Sequence, residues 1–166
     1  AAALARSVAA VDHELFWVAG MKFDRALLER SFCERLHAGG CRSLMLGFES
    51  ATQRLVDLMD KGFQVEQVPT MLDNLRHAGI SAELLWFIGF PGEERTEAVD
   101  TVEFLLQHKH RFGLSAFVSE YQLHPDTMVF DEPSRFGVTL TGQHNGVCDY
   151  RVDSGMQTDE LAVMKR

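Results

Sequence analysis

Two short stretches carry residue types that can do chemistry. The first is Leu44 to Ser50, LMLGFES, an apolar run that ends in a carboxylate, Glu49, and a hydroxyl, Ser50. A carboxylate at a strand end can accept two hydrogen bonds from the vicinal hydroxyls of a ribose, as the acidic residue of dinucleotide sites does. It can equally cap a helix, or pair with Lys22 or Lys61. The second stretch is Leu84 to Glu94, LLWFIGFPGEE. Its apolar run breaks into a turn, Gly89-Phe90-Pro91-Gly92, followed by two acids. Gly89 and Gly92 remove side chains, so a flat ring can lie against backbone, and Phe87 and Phe90 offer apolar or stacking surface. An ordinary strand-to-helix turn is the alternative.

Other chemistries lack their signatures. There is no GxxxxGK[ST] or GxGxxG for phosphates, and no GxSxG, HExxH or kinase set. Cys33, Cys41 and Cys148 are odd in number and form no CxxC. That argues against a disulfide framework and against a self-contained zinc or iron–sulfur site, and it points to packed or exposed thiols in a reducing cytoplasm. His13, His37, His77, His124 and His144 are scattered, and Asp57, Asp60, Glu93, Glu94 and Glu97 read as solvated helix-face or turn acids. The net charge of -8, without a Lys/Arg block, argues against a nucleic-acid backbone as the primary partner. No apolar run reaches the roughly 18 residues of a membrane span.

The elements that must hold these stretches follow from pattern. Residues 1 to 10 read as the last turns of a helix and Glu14 to Ala19 as a strand. Asp24 is a good N-cap for a helix carrying Leu27, Leu28, Phe32 and Leu36, which Gly39-Gly40 stops. Arg42 to Phe48 is the second strand. Ser50 and Thr52 can cap a short helix that ends at Lys61-Gly62. A further helix presents Val65, Val68, Met71, Leu72, Leu75 and Ala78, with Pro69 in its first turn. Ser81 to Ile88 is the third strand. The next helix has the stripe Val99, Val102, Leu105 and Leu106, and Leu114 to Tyr121 is the fourth strand. Beyond Pro125 the periodicity fades among glycines, until Thr158 to Lys165 can begin a short helix.

Strands alternating with helices imply right-handed crossovers and an α/β fold with a parallel sheet. Four strands do not close a barrel, so this is a small open sheet or about half of a larger barrel. Successive strand residues face opposite sides. Ala82, Leu84, Trp86 and Ile88 should pack under helices, while Ser81, Glu83, Leu85, Phe87 and Gly89 face the other layer. Ser43, Met45, Gly47 and Glu49 form the matching set of the second strand. Period 2 therefore puts Glu49 on one surface with Phe87 and Gly89, unless a bulge intervenes.

The stretch from Gly40 to Gly62, GCRSLMLGFESATQRLVDLMDKG, resembles the signature of radical S-adenosylmethionine (SAM) enzymes, closest to the branch that also carries a cobalamin-binding domain. The agreement continues through Ala78-Gly79-Ile80, WFIGFPGEE and YQLHPDTMVFDEPSRFGV, covering roughly residues 14 to 140. The resemblance implies half of a radical SAM (β/α) barrel over residues 1–140, with an irregular C-terminal extension over 141–166. In such enzymes a [4Fe–4S] cluster cleaves SAM reductively, and the 5′-deoxyadenosyl radical abstracts hydrogen from substrate.

Carried onto this chain, the resemblance makes Glu49 and Ser50 the strand-end ribose position. Phe87, Ile88 and Gly89 become the adenine-contacting strand, with Tyr121 to Leu123 at the next strand end bordering the adenine. Lys22 stands near a place where relatives often have an arginine that reaches the methionine carboxylate. The CxxxCxxC cluster loop is not in these residues. The expectation is a C-terminal portion of a longer protein, which by itself performs no radical chemistry. The cluster, cobalamin and a low-potential electron donor would belong to the whole enzyme, which acts on an unspecified small molecule or peptide. Exposed sheet edges would favour a homo-oligomer. A non-catalytic binding or oligomerisation module derived from such a barrel is the alternative.

Overall fold

The computed structural model describes residues 3, 7, 15–115 and 119–156. Most of the helix expected at 1–10, all of the helix expected at 158–165 and part of the fourth strand lie outside the described residues. The chain divides into two compact units, Ala1–Trp86 with Thr101–Phe117, and Phe87–Asp100 with Val118–Arg166.

The first unit is a parallel α/β layer. Strands β1 (Trp17–Lys22), β2 (Cys41–Glu49), β3 (Ser81–Ile88, through Trp86) and β4 (Leu114–Ser115) lie side by side in chain order, all parallel. Between them run α1 (Arg30–Ala38), α2 (Gln53–Leu58) and α3 (Val68–His77). The alternation expected of β2 and β3 is observed. Leu44, Leu46, Phe48, Ala82, Leu84 and Trp86 are buried, whereas Met45 and Leu85 on the opposite face are 37% and 38% exposed. Leu36, Met71, Leu72 and Leu75 complete this core from α1 and α3. Pro69 sits in the first turn of α3, where its missing N–H has no helical partner to lose.

Two helices depart from their sequence reading. Asp24 does cap, its carboxylate accepting the Ala26 N–H at 2.8 Å, but what it caps is a single 3-10 turn, Arg25–Leu28. Glu29 is extended and α1 begins only at Arg30. In α4 (Arg95–His108), which contributes to both units, the buried residues are Ala98, Thr101 and Leu105, not the expected valine stripe. Val99, Val102 and Leu106 are exposed. Spacings of three and four fit either face, and the packed one uses smaller residues, so hydrophobicity alone pointed about one position off.

The second unit contains the end of β3, the Gly89 to Gly92 turn and the start of α4. Strand β5 (Ser119–Glu120) pairs parallel with Phe87 and Ile88. The short helix α5 (Met128–Asp131) is capped by Thr127. Residues expected to be irregular form an antiparallel hairpin, β6 (Val138–His144) and β7 (Val147–Val152). Its turn is Asn145-Gly146, both at positive φ, the two-residue hairpin turn this dipeptide favours. Cys148 N–H donates to Leu123 C=O at 2.7 Å, which ties β7 to the chain after β5. Phe87, Phe90, Tyr121, Phe136 and Tyr150 make a chain of ring contacts, with centroids 5.0 to 6.4 Å apart.

Candidate functional site

In the first unit the end of β2 is irregular at the predicted carboxylate. Pairing with β3 runs in step from Ser43 opposite Ser81 to Gly47 opposite Leu85, then shifts so that Glu49 stands opposite Trp86. This is the bulge that breaks simple alternation, so period 2 does not carry Glu49 onto the face of Phe87 and Gly89. Glu49 has φ +63, and Ser50 N–H donates across it to Phe48 C=O at 2.8 Å. A non-glycine residue in this region is strained, and such strain gathers at functional sites.

The turn folds the carboxylate back over Gly47, where an added Cβ would come within 2.7 Å of Glu49 Oε1. Oε1 accepts from Lys61 Nζ at 2.8 Å, and the two side chains are 14% and 22% exposed. A carboxylate has about four lone-pair positions, so one ammonium leaves it able to take further donors. The Lys61 pairing left open by the sequence is therefore present. Ser50 is turned inward and 1% exposed. Its Oγ accepts from Thr52 N–H at 3.1 Å and lies 3.3 Å from Thr101 Oγ1. Ser50 thus holds the strand-to-helix turn beneath Glu49 and presents no hydroxyl to a ligand. Lys22 ends β1 and is exposed.

In the second unit the structure brings together Gly89, Tyr121 and Leu123. They line one recess of about 340 Å³ with Glu120, Cys148 and Tyr150. Ile88 is 1% exposed, its carbonyl accepts Tyr121 N–H at 2.8 Å, and it lines neither this recess nor the next. Phe87 instead lines a second recess with Ser119, Tyr121 and His124. Burial, and then the neighbouring Tyr150, push the Tyr121 phenol up to about 12. Tyr150 is likewise pushed up to about 12, by burial and by the charge of Glu120. Both phenols are therefore neutral at ordinary pH.

The turn beside the recess is held by a residue first read as a surface acid. Glu93 is 1% exposed. Its Oε2 accepts the N–H groups of Gly89 and Phe90, and its carbonyl accepts Met156 N–H at 2.8 Å. Glu93 and Glu94 look alike in sequence, and only the folded turn shows which one points in. Glu120 and Tyr150, which line the recess, were not singled out in the sequence. The Asn145-Gly146 dipeptide signalled the hairpin turn alone; that β7 also bridges to Leu123 had no sequence signal.

Cys33 and Cys41 are fully buried, Cys148 nearly so, and all three are free thiols. Burial pushes Cys33 up and Cys41 to about 11, so thiolate formation is disfavoured. Among the described residues no three His, Cys, Asp or Glu are grouped to hold a metal. These residues do not fit a [4Fe–4S] cluster. No helix among the described residues is long and apolar enough to cross a membrane.

No protein-family model matches the chain. It is 26% identical over 91 residues to an uncharacterized methyltransferase of Pyrococcus horikoshii, covering 55% of this chain and 19% of that protein. It is 28% identical over 99 residues to the tRNA-2-methylthio-N(6)-dimethylallyladenosine synthase of Mycolicibacterium smegmatis, covering 57% and 18%. Among solved structures it is similar to the cobalamin-dependent SAM radical enzyme OxsB with aqua-cobalamin and SAM bound. That match has a TM-score of 0.68 at 11% identity and covers 92% of this chain and 29% of that one. The radical SAM methyltransferase TsrM from Kitasatospora setae, with cobalamin and a [4Fe–4S] cluster bound, gives 0.60 at 18% identity, covering 87% and 30%. The chain thus spans under a fifth of these curated relatives and under a third of these solved structures. Its parallel sheet of alternating β-α units resembles part of the radical SAM fold.

Proposed function

We propose that this chain is part of the barrel of a radical SAM enzyme, and that the recess of its second unit receives the adenine of SAM. The observation that carries this is the meeting of Gly89, Tyr121 and Leu123 around one recess. These are three of the positions that the motif resemblance assigns to the base. Gly89 offers backbone without a side chain, Tyr121 an aromatic surface, and Leu123 an apolar floor that is fully buried. Such a wall excludes water from one side of a planar ring. In the first unit, taken by itself, Glu49 is suited to accept from vicinal hydroxyls such as those of a ribose: it has a strained strand-end turn, an overhanging carboxylate and lone pairs beyond those facing Lys61. The cluster, cobalamin and electron donor belong, in this reading, to other parts of the whole enzyme.

Isothermal titration of the 166-residue chain with 5′-deoxyadenosine and with SAM tests this. Saturable binding is expected for both. Glu49→Ala should weaken 5′-deoxyadenosine at least tenfold, since hydrogen bonds to a charged acceptor contribute about 1.5–3 kcal/mol each. The same variant should bind an analogue lacking the 2′ and 3′ hydroxyls no worse than the parent protein does. Gly47→Ala should reproduce much of the loss while the protein stays folded, because its methyl displaces only the flexible end of Glu49. Unchanged affinity in Glu49→Ala would remove Glu49 from the site.

A further inference from the structure

Lys61 is delivered to Glu49 by the end of α2 (Gln53–Leu58). Met59 closes the helix, and Asp60 beyond it turns left-handed at φ +51. Asp60 N–H donates to Asp57 C=O at 3.0 Å, and Lys61 N–H donates to Val56 C=O at 3.1 Å. These are the two bonds of a Schellman helix end. Backbone hydrogen bonding therefore fixes where the lysine side chain starts. Glu49 is fixed by its own left-handed turn at φ +63. The two side chains meet at 2.8 Å, and both belong to the first unit.

This contact decides which carboxylate oxygen is left over. Oε1 lies over Gly47, 2.7 Å from where a Cβ would stand, and the same atom accepts from Lys61 Nζ. Lys61 thus holds Oε1 down on the strand. Oε2 has no hydrogen-bond partner among the described residues. An ammonium has three N–H donors, and Glu49 takes one of them. The other two also meet no partner among the described residues. An open acceptor therefore stands beside open donors. A hydroxyl group both donates and accepts, so it can use the two together.

We propose that Lys61 is a positioning residue for Glu49 and a second ligand for the same hydroxyls. It fixes the carboxylate rotamer and donates to the oxygen of a hydroxyl whose hydrogen bond Glu49 accepts. The ligand class is a vicinal diol carried on a sugar. This rests on the reading of Glu49 as a diol acceptor. It extends that reading to a lysine that the sequence offered only as a rival for the carboxylate. The rival account predicts the opposite behaviour. If Lys61 only occupies Oε1, removing it frees a lone pair and diol binding improves.

The test is calorimetric titration of the 166-residue chain and its Lys61→Met, Lys61→Arg and Glu49→Ala variants, with circular dichroism to confirm folding. The ligands are 5′-deoxyadenosine and 2′,3′,5′-trideoxyadenosine, which lacks the diol. Lys61→Met keeps the length of the side chain without its charge or donors. It should weaken 5′-deoxyadenosine about tenfold, the size of one hydrogen bond to a charged group, and the trideoxy analogue by less than about twofold. Lys61→Arg keeps a cation with donors and should hold 5′-deoxyadenosine within about threefold of the parent. Lys61→Gln, polar but uncharged, carries the same comparison should Lys61→Met not fold. Affinity in Lys61→Met that equals or exceeds the parent's, or equal weakening of both ligands, would overturn the role of Lys61. A loss confined to Glu49→Ala would then leave the acceptor standing. No binding of 5′-deoxyadenosine by the parent would overturn the Glu49 reading and Lys61 with it.

Discussion

Glu93→Ala is expected to lower the unfolding free energy by about 3 kcal/mol. Glu93 sits at the turn that closes β3, and its carboxylate accepts the N–H groups of both Gly89 and Phe90 from a position almost without solvent. Alanine removes the acceptor but not the donors. Each buried donor left without a partner costs about 1–3 kcal/mol. The backbone bonds of Glu93, from its N–H to Phe90 C=O and from Met156 N–H to its own C=O, survive the substitution and limit the loss. Glu93→Gln keeps the shape and one carbonyl acceptor, so it should cost less than half as much. In a chain of this length a loss of about 3 kcal/mol corresponds to a fall in Tm of roughly 6–12 °C. Urea denaturation of the three proteins measures this. Parity of Glu93→Ala with the parent would mean that the turn holds its shape without the carboxylate.

Gly155→Ala is expected to release the segment that ends the described chain. Gly155 has φ +92, and a Cβ there would lie 2.8–2.9 Å from the backbone of Gly92 and Glu93. Neither contact is with a flexible side-chain end, so the strap must lift rather than adjust. What it gives up sets the size of the effect. One is the Met156 N–H bond to Glu93 C=O, about 0.5–1.5 kcal/mol, and the other is the burial of Met156, about 1.5–3 kcal/mol. The sum of about 2–4.5 kcal/mol is also the ceiling, because detaching the strap is easier than forcing it onto the turn. Limited proteolysis with trypsin should therefore cut at Arg151 much faster in Gly155→Ala than in the parent. Unchanged cleavage, with unchanged stability, would show that the strap tolerates a side chain. Met156 lines the recess, so the same variant should also weaken 5′-deoxyadenosine.

Much of the fold was legible because parallel strands buried on one face write their alternation plainly. Leu44, Leu46 and Phe48, with Ala82, Leu84 and Trp86, follow it residue by residue. The end of β2 was not legible, because its bulge depends on the turn at Glu49 and on the carboxylate folding over Gly47. The start of α1 was misplaced because Asp24 caps equally well a 3-10 turn and an α-helix. In the site, Gly89, Tyr121 and Leu123 came from motif resemblance and do converge on one recess, whereas Ser50 is committed to the protein interior. Glu93, Glu120 and Tyr150 needed the tertiary fold. Glu93 has the same type as its solvated neighbour, and Glu120 and Tyr150 line one recess only because the hairpin returns to Leu123. The exposed, largely polar β6 gave no hydrophobic run to announce that hairpin.

The most direct test of the central claim is NMR mapping of amide shifts as 5′-deoxyadenosine is titrated into the 166-residue chain. The account predicts saturable shifts concentrated at Gly89, Phe90, Tyr121, Leu123 and Cys148, with a second set at Glu49 and Ser50. Shifts that do not saturate, or that saturate while these residues stay unmoved, would contradict it.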